Sequence, residues 1–171
     1  MKNKKGYLIW ITGFSGSGKS EIAKKIHKHL KIKLGPTLLI NGDDLRKIFK
    51  LYDYSKNGRI QNSIKFTKLA KFITDQNINL VFAVVGMMNK PRKWNRKNIK
   101  NYIEIFIDSK INQIIKKNKK RIYRKTSNNI VGKDIKAEYP DNPDIKITNN
   151  FKKDIKILSY KVIDKIDKII G

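Results

Sequence analysis

The sequence predicts an α/β protein in three layers, with helices on both faces of a central parallel sheet. Three observations predict it. Strand-like and helical segments alternate along the chain. The first strand-like run, residues 7–12 (YLIWIT), is apolar throughout and rich in β-branched residues, as in a sheet covered on both faces. A length of 171 residues with 39% hydrophobic content suits a single domain with a sizeable core.

The elements follow in order. After the strand at 7–12, residues 13–18 form a glycine-rich loop. From Lys19 to about Lys33, apolar residues recur at Ile22, Ala23, Ile26 and Leu30, and less regularly at Leu34. That is a helical spacing, stopped by Gly35-Pro36. Residues 37–41 (TLLIN) read as a second strand, followed by a short helix to about Lys50. A loop with Tyr54, Ser55, Asn57 and Gly58 comes next. Ile60, Ile64, Leu69, Ala70 and Ile73 then mark a helix ending near Gln76. The third strand is expected at 79–85 and the fourth at 102–107. Between them Pro91 opens a helix in its first turn. Ser109 is expected to cap a helix running to about Lys117.

Residues 117–144 are polar, basic and without a sustained period. A mobile lid over about 117–137 is expected there, followed by a loop. Residues 145–148 read as a last short strand. The final helix places Phe151, Ile155, Leu158, Val162, Ile166 and Ile169 on one face and its lysines in solvent.

Composition excludes several functions. There is no cysteine, hence no disulfide, thiolate metal site or cysteine nucleophile. His27 and His29 are the two histidines and read as packing or surface residues. No apolar run approaches the roughly 20 residues of a membrane helix. The N-terminus mimics a signal peptide, but its apolar stretch is about six residues and enters the glycine loop, so a cytoplasmic protein is expected. The net charge is +26, from 40 basic and 14 acidic residues. Six of the basic residues are arginine and 34 are lysine, spread along the chain beside many isoleucines and asparagines. This pattern fits AT-rich codon usage better than a dedicated nucleic-acid surface, which recruits arginine for forked contacts. The charge nevertheless favours anionic ligands.

The chemistry concentrates where a parallel sheet binds ligands, beyond the carboxyl ends of its strands. Residues 13–20, Gly-Phe-Ser-Gly-Ser-Gly-Lys-Ser, fit G-x-x-x-x-G-K-[ST] between a strand and a helix. Gly13, Ser15, Gly16, Ser17 and Gly18 can turn their backbone N–H groups toward phosphates. The helix that follows aims its positive dipole end at the same point. Lys19 reaches the terminal phosphates and Ser20 can ligate Mg²⁺. The expectation is therefore a phosphate-loop NTPase domain binding ATP and Mg²⁺. At the end of the second strand, Asn41-Gly42-Asp43-Asp44-Leu45-Arg46 offers a carboxylate for Mg²⁺ or for a hydroxyl proton, and an arginine to clamp an anion. A simple helix cap at Asp43 or Asp44 is the competing reading.

Together these segments resemble the adenylylsulfate kinase family, small phosphate-loop kinases that phosphorylate the ribose 3′-hydroxyl of adenosine 5′-phosphosulfate. GFSGSGKS resembles its G-L-S-G-x-G-K-[ST] loop, and NGDDLR its D-G-D-x-x-R motif. Arg59-Ile60-Gln61-Asn62 looks like the family's R-x-x-N segment, and Tyr54 takes the place of an aromatic that packs on the acceptor base. Lys120-Arg121-Ile122-Tyr123 looks like the K-G-L-Y of the lid. Gly132-Lys133-Asp134, then Glu138-Tyr139-Pro140 and Pro143-Asp144, resemble its G-[IV]-D…Y-E-x-P…P-D stretch. The resemblance implies Lys19 and Asp43 as catalytic residues, and Ser20 and Asp43 as metal-linked. Lys120, Arg121 and Arg124 would close over ATP. Asp43, Arg46, Tyr54, Arg59, Asn62, Gly86, Met87 and Lys120 would face an anionic, nucleotide-type acceptor. It also implies a homodimer.

The departures fall on the acceptor side and the lid. Asn41 stands for the first aspartate of D-G-D, Lys117-Asn118 for an arginine–aspartate pair, and Val85-Gly86-Met87 for I-S-P. The lid is shorter. Relatives that phosphorylate cytidine diphosphoramidate share a short lid and resemble the segment at Trp94-Asn95-Arg96-Lys97-Asn98, which makes that conjugate the second acceptor considered. Trp94 itself is read as a helix-packing residue. A nucleic-acid-associated nucleotide binder and an ATP-binding protein without turnover are the alternatives of other classes.

Overall fold

The structure is a computed structural model that describes residues 5–117, 123 and 128–171. Five strands carry the sheet: β1 (Leu8–Thr12), β2 (Thr37–Asn41), β3 (Asn79–Ala83), β4 (Tyr102–Asp108) and β5 (Ile145–Thr148). They pair in the order β2-β3-β1-β4-β5, every pair parallel. The helices are α1 (Lys19–Leu34), α2 (Gly42–Ile48), α3 (Lys56–Asp75), α4 (Asn89–Asn98), α5 (Ile111–Lys116) and α6 (Ile155–Ile170). The three-layer α/β/α arrangement with a parallel sheet is thus observed.

The two-residue alternation of the strands sorts their side chains into two cores. Ile9, Ile11, Val81, Ile103, Ile105, Ile107 and Ile145 pack with Ile22, Ile26 and Leu30 of α1 and Leu158, Val162 and Ile166 of α6. Leu8, Trp10, Leu80, Phe82 and Tyr102 pack on the other face, with Phe66, Ala70 and Ile73 of α3. Trp94 is partly buried against this second core, as a packing residue. A third cluster lies beyond the strands: Phe14, Met87, Met88, Phe106, Ile114, Tyr123, Ile130, Val131 and Ile135.

Several boundaries differ from the sequence reading, each for a local reason. α3 begins at Lys56 and takes in Asn57 and Gly58, because Ser55 caps it: its hydroxyl accepts from the Gly58 N–H at 3.1 Å. Ser109 does not cap α5. Its hydroxyl donates instead to the Asn149 carbonyl at 2.9 Å, and the N-cap is Lys110. Phe151 precedes α6 at φ 63°, and Ile169 is 48% exposed, while Ile163 takes a buried place on that helix. Residues 130–135 are not uniformly polar surface, since Ile130, Val131 and Ile135 are buried. His27 lies 3.0 Å from the Thr37 carbonyl and His29 2.9 Å from Asp167, both packing roles. Among the described residues no helix is long and apolar enough to cross a membrane.

Candidate active site

Residues 13–20 leave β1 as a tight loop. Gly13, Gly16 and Gly18 all have positive φ (148°, 84° and 95°), the left-handed backbone that a tight loop of this kind needs. The N–H groups of Gly13 and Ser17 are used within the fold, on the Val85 and Phe14 carbonyls. Gly18 is also sterically required. A Cβ there would lie 2.8 Å from Ile155 Cδ1 and 3.2 Å from Asn149 Nδ2. Lys19, 8% exposed, donates to the Phe14 carbonyl at 2.7 Å and so bridges the loop. Ser17 is fully buried, and its carbonyl accepts from the Asn149 side-chain amide at 3.0 Å. The Tyr123 hydroxyl donates to the Ser15 carbonyl at 3.1 Å, and burial pushes its pKa up to about 12. Ser20 follows on α1 and is exposed.

Two strands away in the sheet, β2 ends at Asn41, which is the N-cap of α2 without a side-chain cap bond. Asp43 and Asp44 are therefore not caps. They stand in the first turn, where the helix dipole favours carboxylates. Asp44 accepts from Asn41 Nδ2 at 3.1 Å, and Asp43 is exposed. Arg46, one turn on, stacks over Tyr54 (5.3 Å to the ring centroid) and Phe66 (5.8 Å). Its Nη1 is buried without a hydrogen-bond partner. Arg59 stacks on the same Tyr54 ring at 5.2 Å, donating from Nε to the Tyr54 carbonyl and from Nη2 to the Asn129 carbonyl at 2.8 Å. Burial lowers the pKa of both arginines. For Arg59 the neighbouring Arg46 lowers it further, while Tyr54 and Asp43 oppose the shift in each. Asn62 is 5% exposed on the same helix. Asp43, Arg46, Tyr54 and Arg59 are thus within electrostatic reach of one another. Two guanidiniums held this closely, one with an orphaned buried nitrogen, form a receptor suited to an anion.

The segment after β3 stands between these two groups. Thr12 Oγ1 and Gly13 N both donate to the Val85 carbonyl, at 2.5 and 3.2 Å. Gly86 has φ 54°, and a Cβ there would meet Thr12 Oγ1 and Val84 Cγ2 at 2.8 Å. Met87 and Met88 are 1% and 3% exposed, packed in the third cluster. Lys120, Arg121 and Arg124 lie outside the described residues.

The sequence reading missed a polar assembly beside this segment. Arg92 of α4 is 4% exposed and lies 2.9 Å from Glu104 of β4. Arg96 pairs with Glu104 at 3.3 Å and with Asp144 at 2.9 Å. Glu138 accepts from the Asn89 N–H at 2.6 Å and pairs with Lys56 at 3.5 Å. One signal pointed there: arginine is rare in this chain, and two of its six occur in the run PRKWNR.

Comparison with known proteins gives the family. The family model described as adenylylsulphate kinase matches residues 5–148. The chain belongs to the adenylylsulphate kinase family. It is accordingly a phosphotransferase with a hydroxyl acceptor, like the named kinases it resembles. Among those relatives, the cytidine diphosphoramidate kinase of Campylobacter jejuni is 35% identical over 170 residues, covering 97% of this chain and 99% of that protein. The adenylyl-sulfate kinase of Pseudomonas aeruginosa is 30% identical over 154 residues, covering 86% of this chain and 79% of that protein. The adenylylsulphate kinase fold is matched by the solved structure of the Mycobacterium tuberculosis APS kinase CysC in complex with AMPPNP and APS. Its TM-score is 0.84 at 24% identity, covering 95% of this chain and 98% of that one.

Proposed function

We propose that the chain transfers the γ-phosphoryl group of ATP, with Mg²⁺, to a ribose hydroxyl of an anionic nucleotide conjugate. The observation that carries this reading is the pairing of the glycine loop with the cluster of Asp43, Arg46, Tyr54 and Arg59. The cluster's buried, unpartnered Arg46 Nη1 is in want of an anion.

In this reading the N–H groups of Ser15, Gly16 and Gly18 hold the phosphates, while those of Gly13 and Ser17, bonded to the Val85 and Phe14 carbonyls, shape the loop instead. Lys19 leaves the Phe14 carbonyl for the transferring group. Ser20 and Asp43 offer hydroxyl and carboxylate oxygens, a hard donor set that fits Mg²⁺. Bound there, the ion would neutralise phosphate charge. Asp43 orients the acceptor hydroxyl and takes its proton. The acceptor oxygen then bonds to the γ-phosphorus as the bond to the β-phosphate oxygen breaks and ADP leaves. Arg46, Arg59 and Asn62 hold the acceptor's anionic end, Tyr54 its base, and Gly86 and Met87 wall its side. Lys120, Arg121 and Arg124, in a lid over about 117–137, cover ATP and exclude water. A homodimer is the assembly proposed.

Two acceptors fit. Adenylylsulfate is supported by the family model over residues 5–148. Cytidine diphosphoramidate is supported by the 35% identity to the kinase named for it, over nearly the whole of both chains. It also accords with the acceptor-side departures at Asn41 and Val85-Gly86-Met87. A coupled ADP-release assay with Mg·ATP and each conjugate in turn is the test. Saturable release with one of them, well above hydrolysis without acceptor, is expected. Release at the acceptor-free level with both would refute the reading.

A further inference from the structure

Arg92 makes three hydrogen bonds and one ion pair from one buried guanidinium. Nη1 donates to the Gly86 carbonyl at 2.7 Å. Nη2 donates to the Glu138 carbonyl at 2.9 Å and to the Asn89 side-chain oxygen. Nε faces Glu104 at 2.9 Å. The two Nη nitrogens thus join the segment after β3, the first turn of α4 and the segment that follows residues 130–135, while Nε faces β4. Two further bonds close the assembly: the Glu138 N–H donates to the Met87 carbonyl at 2.9 Å, and the Glu138 carboxylate accepts from the Asn89 N–H.

Both ends of this grip lead to the site. Gly86 adjoins Val85, whose carbonyl takes the N–H of Gly13 and the hydroxyl of Thr12. Glu138 precedes Tyr139, whose ring packs edge-on against Phe14 of the glycine loop (6.0 Å) and Phe106 (5.9 Å). Glu138 also reaches Lys56, at the start of the helix that carries Arg59 and Asn62. Burying an arginine is costly unless every donor finds an acceptor. Here the return on that cost is the relative placement of three backbone segments. Lysine, a point charge on a flexible stem, lacks the planar fork needed to hold them together.

We propose that Arg92 is a positioning residue for the acceptor side of the site: it holds the wall at Gly86-Met87 against the segment at Glu138-Tyr139. The proposal rests on the kinase reading above. It implies that loosening the fork misplaces the acceptor and leaves ATP binding intact.

The test uses the full chain and the variants Arg92→Lys and Arg92→Ala, the lysine variant keeping the buried charge should the alanine variant fail to fold. Steady-state kinetics with adenylylsulfate and cytidine diphosphoramidate is expected to show the acceptor KM raised about tenfold or more. The ATP KM stays within about twofold, as an intact ATP subsite requires. Hydrogen exchange is expected to show lost protection of the Asn89 and Glu138 amides and unchanged protection in β1 and α1. Unchanged exchange at Asn89 and Glu138 would overturn the proposal, as would a rise of both KM values together. If the wild-type chain transfers to neither conjugate, the kinase reading falls. The exchange measurement then decides the positioning claim by itself: localised loss upholds it, and unchanged or chain-wide exchange overturns it.

Discussion

At the scale of single residues, the chain's preference for lysine makes its arginines informative. Lysine supplies 34 of 40 basic residues, so an arginine marks a place where a fork or a flat cation is needed. Each described arginine bears this out: Arg46 and Arg59 stack on Tyr54, Arg92 forks to three segments, and Arg96 lies over Tyr102 while pairing with Asp144. Lys19→Ala is expected to lower kcat by about 10²–10³-fold or more, with the fold intact by circular dichroism. Asp43→Ala is expected to abolish turnover, also without unfolding, because Asp43 is exposed and caps nothing. Near-normal turnover in Asp43→Ala would remove that residue from the mechanism. Arg46→Ala is expected to raise the acceptor KM more than it lowers kcat, since its buried nitrogen is arranged for binding.

At the scale of elements, loops beyond the strands are held by polar side chains rather than by apolar packing alone. Asn149 links the end of β5 to the glycine loop through Ser17, and Glu138 links its segment to the start of α4. The Asn89 N–H, donating to the Glu138 carboxylate, holds that carboxyl below the usual range. Burial opposes the shift, and Lys56 and then Arg92 add to it. A depressed carboxylate pKa contributes stability above its unfolded value, near 4.5, and loses it as pH falls through the folded value. Glu138→Gln should therefore reduce stability at pH 7 by no more than about 1 kcal/mol, after allowing for solvent screening. The deficit should vanish as pH falls through the folded pKa, below 4.5, which urea unfolding at several pH values would show. A deficit independent of pH would mean the side chain acts by shape alone. These links explain what the sequence made legible. The glycine loop, β1, β2 and β5 were readable because their signals are local: glycines at fixed spacing, apolar runs, a helix stop at Gly35-Pro36. The Arg92–Glu104 pair was not, because its partners are twelve residues apart on different elements and Glu104 sits among apolar residues within a strand. The start of α3 was missed because Gly58 reads as a breaker, whereas its N–H is the donor to the Ser55 cap.

At the scale of the whole molecule, the two cores on the faces of the sheet serve stability, and the third cluster beyond the strand ends sits beside the chemistry. A core truncation remote from the site, Ile26→Ala, is expected to cost about 2–5 kcal/mol of stability with kcat nearly unchanged below the melting transition. A net charge of +26 raises the local concentration of anionic substrates, so both KM values should increase with ionic strength while kcat changes little. In the proposed reaction, donor and acceptor meet between the loop at 13–20 and the carboxylate at Asp43. Transfer of label from γ-³²P-ATP, with Mg²⁺, tests it most directly, using adenylylsulfate and cytidine diphosphoramidate as acceptors and the wild-type and Asp43→Ala chains as catalysts. Label is expected on a ribose hydroxyl of one conjugate with the wild-type chain and none with Asp43→Ala. Label released only as inorganic phosphate, or transferred equally well by both chains, would contradict it.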